Sequence, residues 1–346
     1  MRRVAIVSPN PSSQAGGVEL VCTLLGQMLA GQGWDAQIIG PTRTPSRRQF
    51  RLGLQYPSTT WSATSATRAR PWFDLIITNG FLGAGCPRGV PRIHIYHGTM
   101  IGNTMAQRGA LPFREQVRRT LSAGITEALA GRGARRVVCV SELVAGEVRR
   151  YYRLRPDAIL PNGVDTSVFC PRDMREARNR LGLRADGRYA LFVGRVEHGK
   201  GGDLLLEGAR LGGYELAIAG STGAPGAHHL GVLGPAALAD AYAASDCVIL
   251  PSRYEGCSLV VLEALACGRP LLTTRVGWMG TLLRAVPEYA ALCVEPTLES
   301  LAGRLRALSD LGIDDLSAKA RAFVLQHNSL EHWSESWLKL IDELQP

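Results

Sequence analysis

The chain has 346 residues, 46% of them hydrophobic and 20% charged, with a formal net charge of +9. That length exceeds one ordinary core and fits two domains, and that composition excludes an intrinsically disordered chain. The positive balance favours anionic partners such as nucleotide phosphates or an acidic membrane face, whereas the aromatic content, 6% and not interleaved with the arginines, argues against nucleic acid.

The first apolar run, Val4 to Val7, is too short for a signal-peptide core of about 7 to 15 residues. It reads as a buried strand, V-A-I-V-S over 4–8, and the chain is expected to stay in the cytoplasm; no stretch is long and apolar enough to span a membrane. A loop over 9–17 leads to a helix with apolar residues at 18, 21, 22, 25, 28 and 29, stopping at Gly33. A strand at 36–40 follows. The segment 41–70, rich in Arg, Ser, Thr and Pro, reads as a long loop with little structure of its own. Further strands are expected at 75–78, 92–96 and 136–140. Between them R-G-A-L-P-F-R-E-Q-V-R-R (108–119) reads either as an amphipathic element touching anionic lipid or as a solvated helix face. A strand ending in P-N-G-V-D (161–165) closes the first half, with the boundary around 165–172. The rhythm restarts with strands at 190–195, 215–220, 247–252, 270–274 and 291–295, and the chain is helical from Leu298 on. Short apolar strands separated by helices imply parallel sheets with right-handed crossovers. The expected division is 1–168, 169–325 and a last helix, 326–346.

Ligands of open parallel sheets collect beyond the carboxyl ends of strands. After the first strand come Gly16 and Gly17 and a helix N-terminus suited to a phosphate, although the spacing is not G-x-G-x-x-G. After the strand F-V-G-R come Arg195 and Lys200, which could hold a diphosphate. Lys200 stands out because the only other lysines are Lys319 and Lys339. After I-L-P-S comes R-Y-E-G-C-S-L-V-V-L-E-A-L-A-C-G-R-P (253–270), a loop and then a helix from Ser258 to Cys267. Glu255 lies on the loop and Glu263 in the helix. Unpaired buried carboxylates are costly, so either a polyol ligand completes them or they bond backbone or arginine. The amides of Cys257, Ser258 and Leu259 would face the same cleft. His97 ends the strand R-I-H-I-Y and is followed by Gly98 and Thr99; His94, mid-strand, reads as packing. The eight cysteines form no C-x-x-C pair and read as buried reduced thiols. There is no D-x-D, so no metal or cofactor is expected, and no nucleophile elbow or P-loop.

Taken in order, G-G-V-E (16–19), V-S-E (140–142), P-N-G-V-D (161–165), F-V-G-R…K-G (192–201) and the glutamate, seven residues, glutamate pattern of 251–270 resemble the family 4 retaining glycosyltransferases. The resemblance implies an α/β GT-B fold, two Rossmann-like doubly wound parallel-sheet domains facing across a cleft. The N-terminal domain would bind the acceptor, the C-terminal domain the nucleotide sugar, and the last helix would cross back to the N-terminal domain. It implies that Glu255 binds the donor hexose, Glu263 the ribose, and that Arg195 and Lys200 neutralise the diphosphate. The Gly16-Gly17 loop and the Gly256, Cys257, Ser258 and Leu259 backbone would add to the phosphate site, and His97 would face the donor sugar near the reacting centre. Where the family commonly has Gly-Phe-Gly, this chain has Gly256-Cys257-Ser258, which alters the hexose pocket. The implied activity is metal-independent, retaining transfer of a hexose from a nucleotide sugar, UDP before GDP. Its acceptor would be a saccharide or lipid-linked hydroxyl in cell-envelope polysaccharide or lipopolysaccharide synthesis, or a small natural product. Apart from the resemblance, the net charge and the 108–119 element leave peripheral contact with an anionic membrane as one reading, and no nucleic-acid partner is expected. A nucleotide-sugar epimerase or a catalytically silent partner protein is the reading of another class; the intact set of Glu255, Glu263, Arg195 and Lys200 argues against silence.

Overall fold

The computed structural model describes residues 1–10, 16–42, 46, 49, 55–69 and 73–344. The chain forms two compact units, Met1–Pro161 with Ser334–Pro346, and Asn162–Trp333. The division falls at Pro161/Asn162, earlier than the expected 168/169, and the returning piece begins at Ser334.

Unit 1 is built on β1 (Arg3–Val7), β2 (Asp35–Ile39), β3 (Leu75–Asn79), β4 (Arg92–Tyr96), β5 (Arg136–Cys139) and β6 (Ala158–Ile159). Their order is β2-β1-β3-β4-β5-β6, and every pairing is parallel. All residues of β3 and β4 are buried, as strands covered on both faces must be. The helix Gly17–Gly31 buries Val21, Cys22, Leu25 and Leu29, the inner part of the expected stripe. His94 is sequestered in β4, bonded to Thr78 Oγ1 at 2.8 Å and packed edge-on against Tyr96.

One expectation about helices is corrected, the long loop: within 41–70 the chain forms a helix, Gln55–Ala69. Its buried face is hydroxylic rather than apolar, with Thr60, Ser62, Thr64 and Thr67 inside. Thr64 Oγ1 donates to the Thr60 carbonyl at 2.9 Å, and Thr67 Oγ1 to the Thr64 carbonyl at 2.7 Å. Hydroxyls that return to their own helix satisfy themselves without a partner, and a search for apolar periodicity passes over them. The rest of 43–54 lies largely outside the described residues. The last helix, expected over 326–346, lies at Leu330–Asp342 and follows Ile313–His327. They are separated at Asn328 and Ser329, where Asn328 Nδ2 donates to the Asn162 carbonyl at 3.0 Å and Ser329 bridges to Val164.

Unit 2 repeats the architecture with β7 (Tyr189–Val193), β8 (Glu215–Ala219), β9 (His228–Gly231), β10 (Cys247–Leu250) and β11 (Leu271–Thr273), in the order β11-β10-β7-β8-β9 and again parallel. The edge strand β9, H-H-L-G, has no buried residue and so no apolar run to betray it. The strand expected at 291–295 is reduced to one bridge, Thr273 to Cys293, after a short 3₁₀ turn over Pro287–Leu292. Pro296 removes the next amide donor, and Thr297 caps the helix Leu298–Arg306 by accepting from Ser300 N. The eight cysteines are free thiols, six of them buried, as expected.

Candidate functional site

In unit 2 the loops after β7 and β10 are sewn together. A turn over His198–Lys200 ends at Gly201, whose φ is 72° and whose Cα lies so near the Pro251 carbonyl that a Cβ would stand 2.5 Å from its oxygen. Only glycine accepts both conditions. Arg253 then bonds the turn from the other side. Its amide donates to Gly199 O at 2.8 Å, and one guanidinium nitrogen reaches His198 O at 2.6 Å. The guanidinium grips Asp203 through two bonds of 2.8 and 2.9 Å, the fork geometry that lysine cannot supply.

This stitching brings Lys200 to Glu255. Lys200 Nζ lies 3.2 Å from Glu255 Oε1, which also accepts from Ser252 Oγ at 2.9 Å. Both charged side chains remain partly open to solvent. Glu255 and Ser258 share a small cleft with Val261, Thr273, Val276, Trp278 and Met279. Ser258 precedes the helix Leu259–Ala266 and makes no side-chain cap. The first-turn amides therefore carry partial positive charge beside the Lys200–Glu255 pair. Arg195, by contrast, extends into solvent and pairs with Glu197 at 3.0 Å; the structure does not bring it to Glu255.

Glu263 points into the unit. It is buried, and its Oε2 accepts from Tyr242 Oη at 2.7 Å. Burial raises its carboxyl to about 7, although the tyrosine bond works the other way. Cys257 is buried too: its carbonyl accepts from Asn162 Nδ2 at 2.7 Å, and its Sγ accepts the Asn162 amide at 3.4 Å. The small residue that stands where the resemblance leads one to expect phenylalanine thus seats the loop against the first residue of the unit.

Gly277, with φ 58°, backs directly onto the same loop. A Cβ there would lie 2.5 Å from the Glu255 carbonyl oxygen and closer still to that of Gly256. Gly277→Ala is therefore expected to push the Glu255 loop out of place. Donor KM should rise about tenfold or more, with a stability loss of only about 1–3 kcal/mol from the backbone strain. Unchanged kinetics in this variant would show that the loop tolerates displacement.

In unit 1 the described residues begin again at Gly16, so the loop before it, 11–15, lies outside them. Gly16 and Gly17 open the first helix, and the Glu19 carboxylate folds back over Gly16. A side chain of this unit thus already supplies an anion at that helix terminus. His97 follows β4, and its Nε2 lies 2.8 Å from Asn79 Oδ1. Because Asn79 Nδ2 donates to the Val7 carbonyl, its Oδ1 is the acceptor and the hydrogen-bond pattern assigns the proton to His97 Nε2. Burial lowers the imidazole to about 4, so at neutral pH it is uncharged with a lone pair on Nδ1.

Behind this loop sits a residue that the sequence reading missed. Glu127 is buried, accepts the Met100 amide at 2.9 Å and also accepts from Tyr152 Oη. Burial raises its carboxyl to about 7. It pins the start of the helix Met100–Ala106, directly after His97, Gly98 and Thr99. No motif announced it, since its partners lie 27 and 25 residues away. Arg253, Asp203, Tyr242 and Gly277 were missed for the same reason, whereas Ser252 stands only three residues from Glu255 and was passed over as an ordinary loop serine. Among the described residues no cluster of His, Cys, Asp and Glu could hold a metal ion.

Residues 15–168 match the model of Glycosyltransferase Family 4, and residues 187–310 that of Glycosyl transferases group 1. A D-inositol 3-phosphate glycosyltransferase of Acidothermus cellulolyticus is 27% identical over 97% of this chain and 88% of its own. Among solved structures, sucrose-phosphate synthase from Thermosynechococcus elongatus superposes with a TM-score of 0.79 at 22% identity, over 99% of each chain. Anabaena HepE, solved in complex with UDP-glucose, does so with a TM-score of 0.72 at 14% identity, over 99% of this chain and 100% of its own. With both halves matched in order and two parallel-sheet units of the GT-B type, the chain belongs to the family 4 glycosyltransferases.

Proposed function

We propose that the protein transfers a hexose from a UDP-sugar to a hydroxyl of a saccharide or lipid-linked acceptor, with retention of anomeric configuration and without a metal. The observation that carries this reading is the Lys200–Glu255–Ser252 contact beside the uncapped start of Leu259–Ala266. Lys200 and the helix amides would take up negative charge as the diphosphate departs. Glu255 would accept hydrogen bonds from hexose hydroxyls, and Glu263 from the ribose. Arg195, free to swing from its exposed contact with Glu197, would close on the diphosphate when donor is present. On the acceptor side, neutral His97 would contact the hexose near the reacting carbon. The bond from anomeric carbon to phosphate oxygen breaks, the acceptor oxygen attacks the same face, and the departing phosphate oxygen takes the acceptor proton. Positioning and charge stabilisation supply the rate.

Release of free nucleotide from UDP-, GDP- and dTDP-hexoses, with and without EDTA, tests this in wild type and Glu255→Gln. The expected result is release from one UDP-hexose, indifferent to EDTA and at least about a hundredfold slower in the variant. No release and no binding with any donor would overturn the reading. A second acceptor class, a small phosphorylated cyclitol, is favoured by the similarity to the D-inositol 3-phosphate enzyme and is read in the same assay by the acceleration that acceptor brings.

A further inference from the structure

Residues 113–132 of unit 1 run as one helix: Phe113–Arg118, a wide π-type turn over Arg119–Ala123, then Gly124–Arg132. Its sidedness is inverted. The buried positions are Ala123, Gly124, Thr126, Glu127, Ala130 and Gly131, all small or polar. The large apolar residues face outward instead. Phe113 is 77% exposed, Val117 39%, Leu121 57%, Ile125 57% and Leu129 49%. A helix facing water on one side and a core on the other has the opposite arrangement.

These five residues recur every fourth position. On a regular helix a spacing of four drifts by about 40° per step, so five residues would wind well round the cylinder. The π-type turn holds extra chain per turn and sits at the middle of the series, where it turns the drift back. Wide turns of this kind are uncommon and frequent at functional sites. The result is a straighter apolar ridge than the spacing alone would give.

Charge identifies what the ridge meets. From Gly98 to Arg136 there are seven arginines and two glutamates. Glu127 is buried, and Glu115 is paired with Arg118 and Arg119. Arg108, Arg114, Arg132 and Arg135 are exposed at and beyond the two ends of the ridge. A second copy of the chain laid across a twofold axis would bring these arginines against their own kind. No helix among the described residues is long and apolar enough to cross a membrane, so this one would lie in the interface plane, apolar ridge down and arginines among anionic headgroups.

We infer that the outer face of 113–132 is a docking surface for an anionic lipid bilayer. The inference goes beyond the donor chemistry and does not depend on it. Flotation of the full chain with vesicles of phosphatidylcholine and phosphatidylglycerol, against pure phosphatidylcholine, at low and high salt, is the test. Wild type should float with the anionic vesicles at low salt and lose most of that binding at high salt. Leu121→Gln with Ile125→Gln should weaken it at least about tenfold while melting temperature and donor hydrolysis stay as in wild type. Arg114→Glu with Arg132→Glu should remove the preference for anionic lipid. Absence of binding, equal binding to neutral vesicles, or a dimer in solution that Leu121→Gln dissociates would each overturn the assignment, the last by making a second copy the occupant. Failure of the transferase reading would appear in nucleotide release and leave the flotation result standing.

Discussion

Lys200→Ala is expected to slow nucleotide-sugar turnover on the order of 10²- to 10³-fold, the cost of removing one preorganised charge partner of a departing oxyanion. The loss should fall on kcat more than on donor KM, because charge grows on the diphosphate only as the bond breaks. Thermal stability should hardly move. The Lys200–Glu255 pair is 3.2 Å apart and partly exposed on both sides, and pairs of that kind contribute about 0–1 kcal/mol. Lys200→Arg should recover part of the rate, since the charge remains while the compact ammonium is replaced by a planar fork. Steady-state kinetics beside a melting curve separate the two effects. A Lys200→Ala enzyme within threefold of wild type would remove Lys200 from the mechanism.

Glu263→Gln should change how stability depends on pH by roughly 3 kcal/mol. The Glu263 carboxyl titrates near 7 when folded and near 4.5 when unfolded, burial being the main cause. Below pH 4.5 it is protonated in both states and costs nothing. As pH rises the unfolded chain releases its proton first, so stability falls between about 4.5 and about 7 and is level above that. At 1.36 kcal/mol per pH unit this interval amounts to roughly 3 kcal/mol. Glutamine keeps an acceptor for Tyr242 Oη and has no proton to lose. The difference between variant and wild type should therefore grow in favour of the variant from pH 5 to pH 8. Taking the difference also cancels the parallel slope from Glu127, whose carboxyl is raised in the same way in unit 1. Parallel denaturation curves at the two pH values would mean that Glu263 is not desolvated in solution.

The parts of this molecule that could be read from its sequence are those where chemistry and period coincide. Apolar runs such as L-I-I-T and C-V-I-L became buried parallel strands because both faces of the sheets are covered. Lys200 stood out against a chain that otherwise uses arginine, and it meets Glu255 directly. What stayed hidden depends on pairings across long separations. Helix Gln55–Ala69 buries hydroxyls, those of Thr64 and Thr67 bonding back to the helix and those of Thr60 and Ser62 to Phe81 and Thr42, so no apolar stripe marks it. Tyr242 and Glu263 find each other only once β10 and its flanking helices are packed. Arg253 looks in sequence like one more surface arginine, yet it ties two loops through Asp203 and two carbonyls. Arg195 had the right place after its strand, but its length lets it reach solvent and Glu197 instead.

Unit 2 is an uninterrupted stretch of chain set into the middle of unit 1, and its two ends are fastened to each other. Val164 N donates to Asn328 O at 2.8 Å, Leu330 N to Val164 O at 2.9 Å, and Gly163 lies so close to Trp333 that a Cβ would stand 2.7 Å from the tryptophan Cβ. For the host unit, an insertion of 172 residues (Asn162–Trp333) therefore behaves entropically as a short loop, because the guest closes it before the host must.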